Sequence, residues 1–219
     1  MEQLDKKLME IREDMITMGE FALNSLERSA DAIRTDNLQE LQVAANGELK
    51  YVPYLANAVD DNIVVSLALY TPEASNLREL IALLKATHEM VRIGDAARSF
   101  AVGMKSAMES QLDIKSLKSF ILKLHEVSFR SVELVVRGFK EFDMDLYRAV
   151  KVEEEKSDKI YSVVQEEILK QVCGDETLVP TYIKVISTVK KLERAADHAV
   201  NVARLILYAH EGGRFKIND

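Results

Sequence analysis

Tryptophan is absent from this chain of 219 residues, cysteine occurs once, proline three times and glycine eight times. Each scarcity excludes something. A lone Cys173 can form no intramolecular disulfide, so the fold gains nothing from an oxidising compartment, and a small buried residue near a helix end is its expected role. With so little proline and glycine there is no supply of the tight turns that an all-β protein needs. Basic residues are not in excess: 29 Lys and Arg stand against 36 Asp and Glu, a net charge of −7, where a nucleic-acid module would show a basic face. No stretch approaches the roughly 18 uninterrupted apolar residues of a membrane span. The opening residues, MEQLDKKLMEIREDM, are charged throughout and lack the apolar core of a signal peptide. A soluble, cytoplasmic protein is expected.

What the chain does have is Leu, Ala, Glu, Lys and Val in helical rhythm. From Leu4 to Ile33 the apolar positions Leu4, Leu8, Ile11, Met15, Met18, Ala22, Leu26 and Ile33 recur at steps that predict a long amphipathic helix. Thr35-Asp36-Asn37 ends it and caps a second segment, Leu38 to Tyr70, in which Gly47 and Pro53 predict a kink or restart near residue 52. Thr71-Pro72-Glu73 opens a third helix to about Met108, and Ser110 to Asp113 is a polar turn. A fourth helix carries Leu117, Ile121, Leu124, Phe129, Val132 and Val136. Asp143 or Asp145 caps a fifth, which ends at Cys173-Gly174, and Pro180 opens a sixth, which ends at Gly212-Gly213. The expected fold is all-α, six long antiparallel helices in two tandem three-helix bundles. Residues 1–110 form the first, 111–213 the second, and 214–219 a frayed tail.

The two halves resemble each other. Displacing the chain by 102 residues lays Ile81 on Ile183, Leu84 on Ile186, Arg92 on Arg194 and Asp95 on Asp197. Both segments follow a proline-bearing turn. Matching caps as well as stripes indicates an internal duplication rather than the likeness of any two amphipathic helices.

The chemistry concentrates in the second half. Glu193 and Asp197, four apart on the sixth helix, share one side of it beside the stripe Val189, Leu192, Ala196, Val200, Ala203. Like charges at that spacing repel by a few tenths of a kcal/mol, so something must offset them, or water tolerates them. Glu154 and Asp158 repeat the spacing on the fifth helix, its neighbour in an antiparallel bundle. Two facing carboxylate pairs would suit a hard or borderline cation such as Mg²⁺, Mn²⁺ or iron, with Glu153, Glu155 and His198 as outer or alternative ligands. The other reading of the same acids is a solvated face paired with lysines such as Lys159; spacing alone leaves both open. Lys184, Lys190, Lys191 and Arg194 lie beside the acids and are available to pair with them or with a partner. His88, His125 and His210 read as surface or capping residues. Glu-x-x-His pairs, a glycine-rich phosphate loop, Cys-x-x-Cys and a nucleophile beside a base are all missing from the sequence, so catalysis has little to stand on.

Leu192-Glu193-Arg194, followed by Asp197-His198-Ala199 and Asn201-Val202-Ala203, resembles the signature helix of the PhoU family of phosphate-uptake regulators. The likeness extends over essentially the whole chain, through the Pro72 turn, Val91-Arg92-Ile93-Gly94-Asp95 and the acid-rich fifth helix. It implies two three-helix repeats and Glu/Asp-x-x-x-Asp pairs that bind multinuclear iron or other divalent ions, Mg, Mn, Zn or Ni among them. Carried over by position, it implicates Glu154, Asp158, Glu193 and Asp197. It further implies a non-enzymatic homodimer acting on the ATPase of a phosphate ABC transporter and on a phosphate sensor histidine kinase, without nucleic acid, and reaching the membrane only through those partners. A metal-independent helical adaptor and a metal-dependent phosphohydrolase are the rival readings. The first repeat departs from the pattern: Val91 stands where Glu is expected, leaving Asp95 alone. Counted from the helix start, the other pair falls on Asn46 and Lys50, and counted back from Pro72 on Leu49 and Pro53; neither gives two acids. Repeat one is therefore expected to have lost its site, with Lys50 partly replacing the missing cation.

Overall fold

The computed structural model describes residues 2–110, 112–172 and 176–212; Cys173, the Cys173-Gly174 helix end and the 214–219 tail lie outside the described residues. The helices are α1 (Glu2–Thr35), α2 (Leu38–Asn46), α3 (Val52–Tyr70), α4 (Ala74–Met108), α5 (Ile114–Lys140), α6 (Leu146–Val172) and α7 (Val179–Glu211), with short 3-10 turns before α3 and α7. Six long helices were expected; α2 and α3 are the two pieces of the second.

The chain breaks where its residues require it. Gly47 leaves helical geometry (φ −71, ψ −124), a 3-10 turn spans Glu48–Tyr51, and α3 restarts at Val52 with Pro53 in its first turn, where a missing amide hydrogen is harmless. The Asn37 side chain accepts from the amides of Gln39 and Glu40, both at 3.1 Å, capping α2. Asp113 caps α5 through the Ser116 amide at 3.3 Å. Thr71 turns the chain at φ 43, so Pro72 sits before α4 rather than inside its first turn. Every member of the α1 stripe is buried.

α1, α4, α5 and α7 form the interior of the molecule. α2 and α3 pack on α1 and α4 along one flank, and α6 packs on α5 and α7 along the other. The halves are joined by α4 against α7, the most extensive helix pair, and by α1 against α5. One continuous apolar cluster, from Leu4 to Ile206, runs through both halves. Small residues let α4 and α7 approach closely. A Cβ added at Gly103 of α4 would lie 2.3 Å from Thr188 Oγ1 and 2.6 Å from its Cγ2, on α7.

His125, read from the sequence as a surface or capping residue, is instead a core residue. Its Nε2 lies 2.8 Å from the Leu26 carbonyl of α1, and its ring packs near Phe100 and Phe129. The 3.6-residue period could not show this, because an imidazole is polar in any hydrophobic pattern. Burial pushes its pKa down to about 4, outweighing the backbone hydrogen bond, so the ring is neutral and Nε2–H donates.

Two outcomes follow for stability. Gly103→Ala is expected to cost about 1–3 kcal/mol in denaturant unfolding, part of it restored by Thr188→Ala in the same chain. An unfolded histidine titrates near 6.5 and the folded His125 near 4, so in that window the unfolded state holds more protons and stability falls as the pH is lowered. Removing the imidazole with His125→Phe should flatten this decline, by about 3 kcal/mol across the window, in melts run as a pH series.

Candidate metal centre

The outer helix α6 and the inner helix α7 carry the same pattern, Lys-x-x-Glu-x-x-x-Asp: Lys151, Glu154, Asp158 on one, Lys190, Glu193, Asp197 on the other. Steps of three and four keep each set on one helical face, and the antiparallel α6–α7 contact turns the two faces toward each other. Carboxylate oxygens of Glu154, Asp158 and Asp197 come within 4.8 Å of one another. Two oxygens on one cation, each at about 2.0–2.6 Å, must be about that close or closer, so this trio is spaced as ligands of a single ion.

Glu193 stands at the edge of the trio. It is only 7% exposed. Its Oε1 pairs with Lys190, and its Oε2 is buried with no hydrogen-bond partner. A buried carboxylate oxygen without a partner is costly, and a cation beside it would remove the cost. Lys151 Nζ lies 2.6 Å from Glu154 Oε2, and Lys190 also lies over the Tyr161 ring, 4.7 Å from its centroid. Two lysines thus offset part of the charge of four acids. The remainder is felt at Asp197, whose pKa is raised to about 6, by burial first and then by Glu193, Asp158 and Glu154, against the opposing pull of Lys190. Donors that are all oxygen suit a hard or borderline cation. The residues present fit one.

The alternative ligands are placed elsewhere. Glu153 is buried facing α5 and pairs with Lys156 at 2.8 Å and Arg130 at 3.8 Å. Glu155 is exposed. His198 turns across the seam between the halves, its Nδ1 2.7 Å from Glu89 Oε2 of α4, which also accepts from Asn201 Nδ2 at 3.1 Å. Burial opposes ionisation of Glu89, but the bonds from His198 and Asn201 outweigh it and hold its pKa below the usual glutamate range. Glu89 was not legible as a partner, since nothing in the sequence ties it to a residue 109 positions away.

In the first half, Asp95 is exposed, with Arg92 of its own helix 3.9 Å away. Val91 packs partly buried against the core. Lys50 falls in the 3-10 turn and lies over the Tyr51 ring, 4.9 Å from its centroid, rather than serving an acid. Among the described residues, a convergent group of three acids occurs on α6 and α7 only.

Fold and site together define a duplicated all-helical bundle with a carboxylate groove on its second half. The PhoU domain family matches residues 15–102 and again 121–206. The chain is 26% identical over 214 residues to the phosphate-specific transport system accessory protein PhoU homolog of Xylella fastidiosa, covering 95% of this chain and 86% of that one. Against the accessory protein PhoU of Escherichia coli it is 23% identical over 217 residues, covering 98% and 88%. The crystal structure of PhoU from Pseudomonas aeruginosa superposes with a TM-score of 0.84 at 23% identity, over 95% of this chain and 99% of that one. The phosphate transport system regulatory protein PhoU of Streptococcus pneumoniae does so at 0.82 and 18%, over 98% and 100%. This chain belongs to the PhoU domain family. The relatives are named as accessory or regulatory proteins rather than enzymes.

The raised pKa of Asp197 has a testable sign. An unfolded aspartate titrates near 3.8 and the folded one near 6, so between these values the folded state holds more protons and ionisation above them destabilises it. In metal-free protein, Asp197→Asn should raise the melting temperature at neutral pH, and the gain should vanish as the pH approaches 4. Melts in chelator across that range check it.

Proposed function

We propose that this protein regulates phosphate uptake and the phosphate-starvation response through metal-supported protein–protein contacts. Its relatives carry the name of phosphate-transport accessory proteins, and the accessory role is what transfers at the coarse level. At the finer level the partners are the ATPase of the phosphate ABC transporter and a phosphate sensor histidine kinase, met in the cytoplasm by a homodimer. No helix among the described residues is long and apolar enough to cross a membrane, in keeping with contact through those partners.

The observation that carries the reading is the unpartnered, buried Oε2 of Glu193 beside three convergent carboxylates. Glu154, Asp158 and Asp197 would hold the ion, and Glu193 would close the set. A bound cation supplies charge neutralisation, tying α6 to α7 and fixing the outer helix that a partner meets. Iron, as a multinuclear site, is the ion the family resemblance favours; Mg, Mn, Zn and Ni are the others. One observation favours a metal-independent adaptor instead: Lys151 and Lys190 already pair with the two glutamates.

Elemental analysis of purified protein separates these readings. Metal should co-purify with the wild type and fall at least about tenfold in affinity in Glu193→Ala and Asp197→Ala. Equal metal-free purification of all three favours the adaptor. Two equivalent clusters per chain would show that the first repeat kept its site. Pull-down of the transporter ATPase and the kinase, with and without phosphate, tests the partners.

A further inference from the structure

The two flanking helices occupy equivalent places in the halves, yet their outer faces differ. α6 is charged along its length, and its exposed Val152, Val163 and Leu169 are scattered singly among charges. α3 is not. Between Lys50 and Arg78 there is no basic residue. The exposed side of α3 carries Tyr54 at 72% exposure, Val65 at 42% and Leu69 at 68%, with Val64 beside them. Tyr54, Ala58, Asp61, Val65 and Leu69 follow steps of four, three, four and four, so they form one stripe about 22 Å long. A helix apolar on both sides is ordinarily covered on both. α3 buries Val52, Ala56, Val59 and Ile63 against α1 and α4 and leaves this second stripe open.

The charge on the stripe selects what covers it. Asp61 lies at its centre and Asp60 at its edge, and no ion pair or hydrogen bond to either carboxylate is made among the described residues. Lys7 of α1 reaches the flank at Asn62, 3.4 Å away, but is engaged by Glu10. Partial burial and the Asp61 charge push the Asp60 pKa up, as expected for negative charge without a counter-ion. A second copy is disfavoured, because a two-fold pairing of the stripe sets Asp61 against its own mate. An anionic membrane surface is repelled by the same two acids.

We propose that the outer face of α3 is a docking surface for an amphipathic helix of another protein, apolar along one side with Lys or Arg at its middle. The cation meets Asp60 and Asp61, and the flanking apolar groups meet Tyr54, Val65 and Leu69. The surface is separate from the carboxylate groove, and the inference does not depend on a metal there.

The test uses the full-length protein and a fluorescein-labelled helical peptide with a leucine and valine stripe and two central lysines, followed by anisotropy at low and high salt. Its control is the same peptide with glutamates for lysines. The basic peptide should bind and the acidic one should not. Val65→Glu, and Asp60→Asn with Asp61→Asn, should each weaken binding at least about tenfold. Val163→Glu on α6 should leave it unchanged. All these positions are exposed, so circular dichroism melts should match the wild type. The proposal is overturned if the basic peptide does not bind, if both peptides bind alike, or if Val65→Glu has no effect. Self-association, or sedimentation with anionic vesicles, that Val65→Glu abolishes would also overturn it, by assigning the face to a second copy or to lipid.

Discussion

The close antiparallel packing of α4 on α7 is the constraint on which the molecule depends. It joins the halves, and it demands residues small enough for two long helices to approach. Gly103 faces Thr188 there with no room for a methyl group. Ala86 and Ala97 on one helix, and Ala195, Ala196, Ala199 and Ala203 on the other, are all buried. Because α7 is fixed from the inside by this seam, its opposite edge is free to carry charge toward α6. Glu193 and Asp197 therefore sit on an inner helix, and the other side of the groove is the outer helix α6. A ligand set built on one fixed and one flanking helix is suited to coupling an ion to the position of the outer helix.

Much of the architecture was legible because it rests on periodicity and on residues with strong backbone preferences. The α1 stripe, the Asn37 cap and the restart at Val52 each follow from local chemistry that a single sequence carries. What was not legible is what joins distant segments. The pinch at Gly103 looks like an unremarkable glycine within a helix until Thr188 is placed beside it. His125 gives no hydrophobic signal, yet its hydrogen bond to Leu26 ties α5 to α1 in the core. Glu89 takes His198 away from the acids across the seam.

The candidate site divides along the same line. Spacing places Glu154 with Asp158 and Glu193 with Asp197, and the helical hairpin brings three of the four within ligand distance of one another. Spacing could not show that Glu193 is buried with one oxygen paired and one not, nor that Lys151 and Lys190 each fold onto the glutamate of their own helix. Those two facts pull in opposite directions. The lysines hold the apo groove together by neutralising each glutamate, whereas the aspartates lack such partners, and the uncompensated charge gathers on Asp197. The arrangement gives each glutamate a lysine and leaves the second oxygen of Glu193 without a hydrogen-bond partner.

Duplication supplies the remaining step. Two equivalent flanking helices began with equal geometric opportunity, since each packs on a pair of inner helices. In the second half the flank carries acids that converge on a groove with α7. In the first, the flank is broken at Gly47, Val91 packs against the core, and Asp95 has Arg92 3.9 Å away. The α3 flank instead presents Tyr54, Val65 and Leu69 on the side facing away from the molecule. Exposed apolar groups gathered on one helix face carry an aggregation cost, so their presence on one flank and not the other argues for a division of labour between the repeats. One flank carries convergent carboxylates, and the other an exposed apolar face.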